Sequence, residues 1–277
     1  MGLDAAVRCR CWEDGLCNPP ASLTPRLWYD PATAEVNQIT PENLSEQKIL
    51  ELYLEYDLWV MEGACAQRSM SIAREHVSNW GGLREFQHAL HSVGEGLCAT
   101  LLREIPNSNG GLTKPAAART CLAELDHFCS LSQFGTIVEL VDGDSGGVIH
   151  SLVEPYHGWL ATNGATNVSF RLNVDGTFQI ERGRAGVMCH DPDAQILFRS
   201  RAFSQAETSA GEFCFTDLLS GDQLLCSNGL NDAPGGNPAS FKVRQRTDTP
   251  ARYAYCIEPL RRVFQAAVDN NHPVLWS

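Results

Sequence analysis

Thr136-Ile137-Val138-Glu139-Leu140-Val141, then Asp142-Gly143-Asp144-Ser145-Gly146-Gly147 and Val148-Ile149, is where this chain changes character. The first six residues are β-branched or apolar enough for a strand, the acidic glycine-rich six form a turn, and the last two begin a return. Upstream, apolar residues recur at helical spacing; downstream they fall in short alternating runs between turn residues. The fold class read from this is α+β. A helix-rich region with a short hairpin at its start covers 1–155, and a mainly antiparallel β region ending in a helix covers 156–277. The two are either separate domains or one continuous domain.

Downstream of the switch, residues 168–174 and 177–181 flank Asp175-Gly176, a strong hairpin signal. Residues 196–203, 212–216, 223–227, 241–245 and 253–257 read as further strands, 259–268 as a helix and 273–276 as a closing strand. Residues 228–240, rich in Gly, Asn and Pro, read as a loop. Upstream, Val7, Cys9 and Cys11 alternate with Arg8 and Arg10 as a strand that Asn18-Pro19-Pro20 breaks, with Leu27-Trp28-Tyr29 as its partner. Thr40-Pro41-Glu42 combines an N-cap hydroxyl, a proline at the first helical position and an acid at the positive end of the dipole. That helix runs to about Glu62, and others are expected over 67–79, 83–104 and 113–129.

The helix ending near Glu62 is unusual. Ile49, Leu52, Tyr53, Tyr56, Trp59 and Val60 share one face, while Leu50, Leu54, Leu58 and Met61 share another. Glu51, Glu55 and Glu62 form a narrow ridge between them. A helix apolar on two sides is expected to be sandwiched between layers. The alternative is that the second face awaits a partner, although exposed apolar faces of that size are rare on monomers.

With 277 residues, 43% hydrophobic and 19% charged, the chain can bury a full core. It has no run approaching the 18 or so apolar residues of a membrane span. Its opening lacks the basic-then-apolar layout of a signal peptide, and Ala6 stands where a myristoylation signal wants Ser or Thr. Eleven cysteines at irregular spacing suggest reduced thiols, so the expected compartment is the cytoplasm. The net charge is −12, and residues 1–159 hold 21 acids against 10 bases, leaving −1 for residues 160–277. Such a field attracts basic proteins and repels nucleic acid and anionic lipid.

Gly143-Asp144-Ser145-Gly146-Gly147 resembles the nucleophile signature of chymotrypsin-like proteases. The upstream histidines His76, His88, His91 and His127 all fall in expected helices, so a glycine-rich turn explains the string better. The same residues partly match a calcium loop, with Asp142 and Asp144 at its first and third places. Gly146 and Val153 replace two required oxygen ligands. Cys9-x-Cys11 with Cys17 offers three thiolates to zinc but no adjacent fourth ligand, which favours reduced core thiols. His88, His91 and Glu95 have metal-like spacing beside Arg84, a cationic neighbour that disfavours a metal. Cys189-His190-Asp191 are neighbours that point to opposite faces of a strand. No phosphate loop, dinucleotide fingerprint or zinc-protease motif occurs. No metal, cofactor or catalytic residue is therefore assigned.

Met1-Gly2-Leu3-Asp4, Cys9/Cys11, Pro19-Pro20, the turn at 142–147 and Pro273-Val274 with Trp276 together resemble a set of largely uncharacterised bacterial proteins. The turn in that set commonly reads His-Ser-Asp-Cys-Asp-Gly, from which this chain departs, so no site built on that His and Cys carries over. Some members of the set look like immunity proteins encoded beside polymorphic toxins. The resemblance and the charge together imply a cytoplasmic immunity-type protein that blocks a basic toxin effector domain by electrostatic occlusion. It would bind neither nucleic acid nor membrane. The residues expected to meet the partner are Glu51, Glu55, Glu62, Asp142 and Asp144. Alternatives are a hydrolase with a site between the two halves, or a non-catalytic regulatory binding module.

Overall fold

The computed structural model describes residues 2–40, 43–94, 96–152, 158–163, 166–184, 193–230 and 238–277. The fold is α+β, as the switch at 136–149 implies. Two compact units form, one of Met1–Ser132 with Thr249–Ser277 and one of Gln133–Asp248. This partition differs from the expected 1–155 and 156–277. Asp248 pairs with Phe134, so the second unit closes on itself and returns the chain to the first.

The first unit is built on a four-stranded antiparallel sheet, in the order Ser71–Asn79, Gly2–Arg8, Val274–Trp276 and Leu112–Thr113. Period-two alternation in the opening strand buries Leu3, Ala5 and Val7. Among the described residues five α-helices accompany it: α1 (Glu46–Leu58), α2 (Trp80–Ser92), α3 (Ala99–Glu104), α4 (Pro115–Ser130) and α5 (Ala254–Asn270). Helices α2, α4 and α5 bury Phe86, Cys121, Leu125, Phe128, Cys256, Leu260 and Phe264. Phe86 and Phe128 meet edge to face at 5.9 Å.

Several expected elements of this unit change type. Residues 67–79 form a short 3-10 turn and then the strand Ser71–Asn79, not a helix. Its partner is Gly2–Arg8, so a non-local pairing decides its conformation. The expected helix 83–104 is broken at Gly94, whose φ of +113° ends α2 before α3 begins. Helix α1 starts at Ser45, whose hydroxyl accepts from the Lys48 N–H at 3.4 Å, rather than at Thr40. Pro41 and Glu42 lie outside the described residues. The stretch 253–257 begins α5 instead of forming a strand: its buried Tyr253, Cys256 and Ile257 sit at helical spacing. Leu27–Asp30 pairs with Glu35–Gln38, not with the opening strand, which ends at Arg8 before Cys9 and Cys11.

The described residues of the second unit form two antiparallel sheets. The six-stranded sheet runs Gln223–Cys226, Phe213–Asp217, Ala202–Glu207, Ser240–Asp248, Phe134–Asp142 and Val148–Ser151. The four-stranded sheet runs Gln195–Ser200, Phe178–Arg182, Val168–Leu172 and Trp159–Asn163. Residues 196–203, expected as one strand, turn at Arg201 and pass from one sheet to the other. Phe170, Phe178, Phe198, Phe203, Phe215 and Phe241 fill the core, with Phe178 stacked on Phe203 at 4.3 Å. Residues 231–237 of the expected loop 228–240 lie outside the described residues. No described helix is long and apolar enough to cross a membrane.

Candidate functional site

Two features of the first unit stand out: a convergence of thiols near its amino terminus and the uncovered side of α1.

The opening strand delivers Cys9 into the unit, where its N–H donates to the Met70 carbonyl at 2.8 Å. Residues 10–16 then fold into a tight turn, with Asp14 N–H on the Arg10 carbonyl at 2.9 Å and Leu16 N–H on the Cys11 carbonyl at 2.8 Å. Gly15, at a φ of +66°, supplies the left-handed step that a side chain would resist. Glu13 anchors this loop from outside, accepting from the His272 imidazole at 2.8 Å. Burial pushes the Glu13 carboxyl up, but the His272 and Tyr29 hydrogen bonds outweigh it and hold it below its ordinary value. Trp59, at the end of α1, donates its indole N–H to the Asn18 carbonyl at 3.1 Å and meets Trp12 edge to face at 6.3 Å.

This arrangement brings Cys65, which follows the π-type turn Trp59–Gly63, against the loop. The sulfurs of Cys9, Cys11 and Cys65 lie within 4.8 Å of one another, with Cys9 and Cys65 at 3.6 Å. Cys17 is not one of these three but packs against the same core cluster that holds Cys9. Cys9 is 4% exposed and the other three are half-buried. Burial, followed by Cys65 and Cys11, pushes the Cys17 thiol up to about 11, and burial raises Cys9 and Cys11 as well. The Gln67 N–H donates to the Cys65 sulfur at 3.4 Å. The sequence offers Cys9, Cys11 and Cys17 no adjacent fourth ligand; the thiol the fold brings to Cys9 and Cys11 is Cys65, 48 residues beyond Cys17, a separation no local motif reveals.

Helix α1 also departs from expectation. Leu52 and Trp59 are buried, but the second apolar face is not sandwiched between layers. Leu50, Leu54 and Leu58 are 59%, 55% and 61% exposed, and Met61 and Tyr53 are exposed beside them. Glu51 and Glu62 are exposed on the same stretch, Glu51 within 2.7 Å of Lys48. Glu55 is half-buried and accepts from the Ser22 hydroxyl. From Glu46 to Gly63 the only base, Lys48, faces five acids.

Asp142 and Asp144 belong to the other unit. The Asp142 carboxylate accepts the N–H groups of Asp144 and Ser145 at 2.8 and 3.1 Å, which hold it below its ordinary value. The Ser145 hydroxyl accepts from the Gly147 N–H at 3.2 Å. The protease-like string is thus a self-capped hairpin turn. Asp144 is exposed. His88 and His91 are exposed on α2, while Glu95 and Cys189-His190-Asp191 lie outside the described residues.

The charge asymmetry along the sequence does not survive folding. Glu139 is 1% exposed and pairs with Arg244 and Arg246, each at 2.7 Å. Glu75 pairs with Arg262 at 2.7 Å, Glu85 with Arg252 at 3.6 Å, and Asp126 with Arg261. Each pair joins an acid before residue 160 to an arginine after it. By folded unit, Met1–Ser132 with Thr249–Ser277 holds 19 acids against 13 bases, and Gln133–Asp248 holds 14 against 8. Both carry −6.

Set against protein-family models, curated proteins and solved structures, the chain finds no match.

Proposed function

We propose that this protein is a cytoplasmic binding protein of the immunity type, whose partner is a basic effector domain that docks on the outward side of α1. The observation that carries this reading is the row Leu50, Leu54, Leu58 and Met61, exposed beside Glu51 and Glu62, with Glu55 half-buried between them. Apolar anchors at the centre of an interface supply most of its binding energy, and a charged rim steers encounter. Five acids against one base on this stretch select a cationic partner. The charge argument therefore narrows from half a chain to one helix. Asp142 and Asp144 remain candidates for a separate contact, with Asp144 the freer of the two. Occlusion of a cationic cleft on a toxin is the form of inhibition proposed.

The test is affinity capture from the native host, followed by kinetics with the captured partner. A stoichiometric basic protein is expected. Reversing Glu51, Glu55 and Glu62 to lysine should slow its association at least tenfold at low salt and flatten the salt dependence. An acidic partner, or association unaffected by the three reversals, would remove α1 from the binding surface.

A further inference from the structure

We propose that Cys9, Cys11, Cys17 and Cys65 form a structural zinc site that staples the amino-terminal loop to the end of α1. Zinc bound by four thiolates at about 2.3 Å in a tetrahedron places neighbouring sulfurs about 3.8 Å apart. Cys9 and Cys65 already stand at 3.6 Å, and Cys11 lies within 4.8 Å of both. Cys17, packed against the same core cluster, is the thiol assigned to the fourth position. Spacing this tight fits a single ion, since a multinuclear iron–sulfur cluster holds its thiolates farther apart around the inorganic core. An all-sulfur tetrahedral set favours zinc among the divalent ions.

The surroundings are those of a structural site. Cys9 is buried, and the Gln67 N–H is aimed at the Cys65 sulfur, the kind of donor that offsets thiolate charge. Cys9 belongs to a buried cluster with Leu23, Leu52, Trp59 and Met70, against which Cys11, Cys17 and Cys65 pack. A cross-link between residues 9–17 and 65 would add stability to that cluster through the metal–thiolate bonds. The buried cysteines elsewhere, Cys98, Cys121, Cys226 and Cys256, belong to no such group among the described residues.

The experiment uses the full chain purified without chelator and measures metal content, followed by Co²⁺ uptake after zinc removal. About one zinc per chain is expected, and Co²⁺ should give the intense absorption of tetrahedral thiolate coordination. Cys17→Ser, at the edge of the cluster and least able to disturb folding, should lower zinc affinity at least tenfold, while Cys17→His should retain most of it. Cys129→Ser, at an exposed thiol outside the group, should change nothing. Zinc removal should also shift tryptophan emission through the Trp12–Trp59 pair. Metal content insensitive to Cys17→Ser would overturn the proposal. So would a reduced, folded chain that takes up neither zinc nor Co²⁺, or peptide mapping that finds these four residues joined as disulfides.

Discussion

Glu139 shows how a single side chain can reverse the meaning of a sequence pattern. In the strand Phe134–Asp142 it is an acid among apolar neighbours, and it contributes to the apparent negative charge of the first 159 residues. In the fold it faces Arg244 in the adjacent strand and is reached by Arg246 as well. Burial alone would push its carboxyl up, but the two guanidinium groups outweigh this and hold it below its ordinary value. A depressed carboxylate stabilises the native state fully above its unfolded pKa, and that contribution is lost as pH falls through the folded one. Glu139→Gln should therefore lower unfolding free energy at pH 7 by about 2 kcal/mol, less than for a fully buried pair because both arginines are partly exposed. Urea titrations of both proteins should converge as pH drops below about 4.3, the ordinary glutamate value. Parallel curves at every pH would show that the pair contributes nothing. None of this was legible beforehand, because pairing depends on strand register, which local sequence does not specify. Cys65 was missed for the same reason: only the fold carries it to Cys9.

Helix α1 was legible as a helix with two apolar faces. Its burial was misjudged, since sequence records which faces are apolar but not what covers them. The same limit explains the strand Ser71–Asn79, whose type is set by pairing with Gly2–Arg8. The two faces of α1 make opposite predictions. Leu52→Ala, inside the small cluster with Trp59 and Met70, should cost about 2–4 kcal/mol of stability. Leu54→Ser combined with Leu58→Ser, on the open face, should change stability by no more than about 1 kcal/mol. The double variant should nonetheless lose binding to the partner captured with the parent protein. Thermal and urea unfolding separate the two outcomes. A double variant as destabilised as Leu52→Ala would mean that the outward leucines support the fold rather than a partner.

At the scale of the whole chain, the switch from helix to strand at 136–149 identified the fold class, but linear order misled the division into units. The expected boundary near 155 assumed that neighbours in sequence stay together. Instead the chain completes its β unit between Gln133 and Asp248 and then contributes α5 and the strand Val274–Trp276 to the first unit. Both ends of the β unit meet in one antiparallel pair, Phe134 opposite Asp248, so its excision leaves neighbouring termini. Its core is its own: Phe170, Phe178, Phe198, Phe203, Phe215 and Phe241 pack with Leu140, Leu172 and Ile180, all from within the unit. A chain of residues 133–248 holds 116 residues, within the range in which a single core sustains cooperative folding. Expressed alone, it should unfold in one transition by heat and by urea, with dispersed side-chain signals in NMR. Phe178→Ala, at the centre of the phenylalanine stack, should remove about 3–5 kcal/mol from it. An isolated 133–248 chain that is compact but gives no cooperative transition would show that these strands need Met1–Ser132 and Thr249–Ser277 in order to pack.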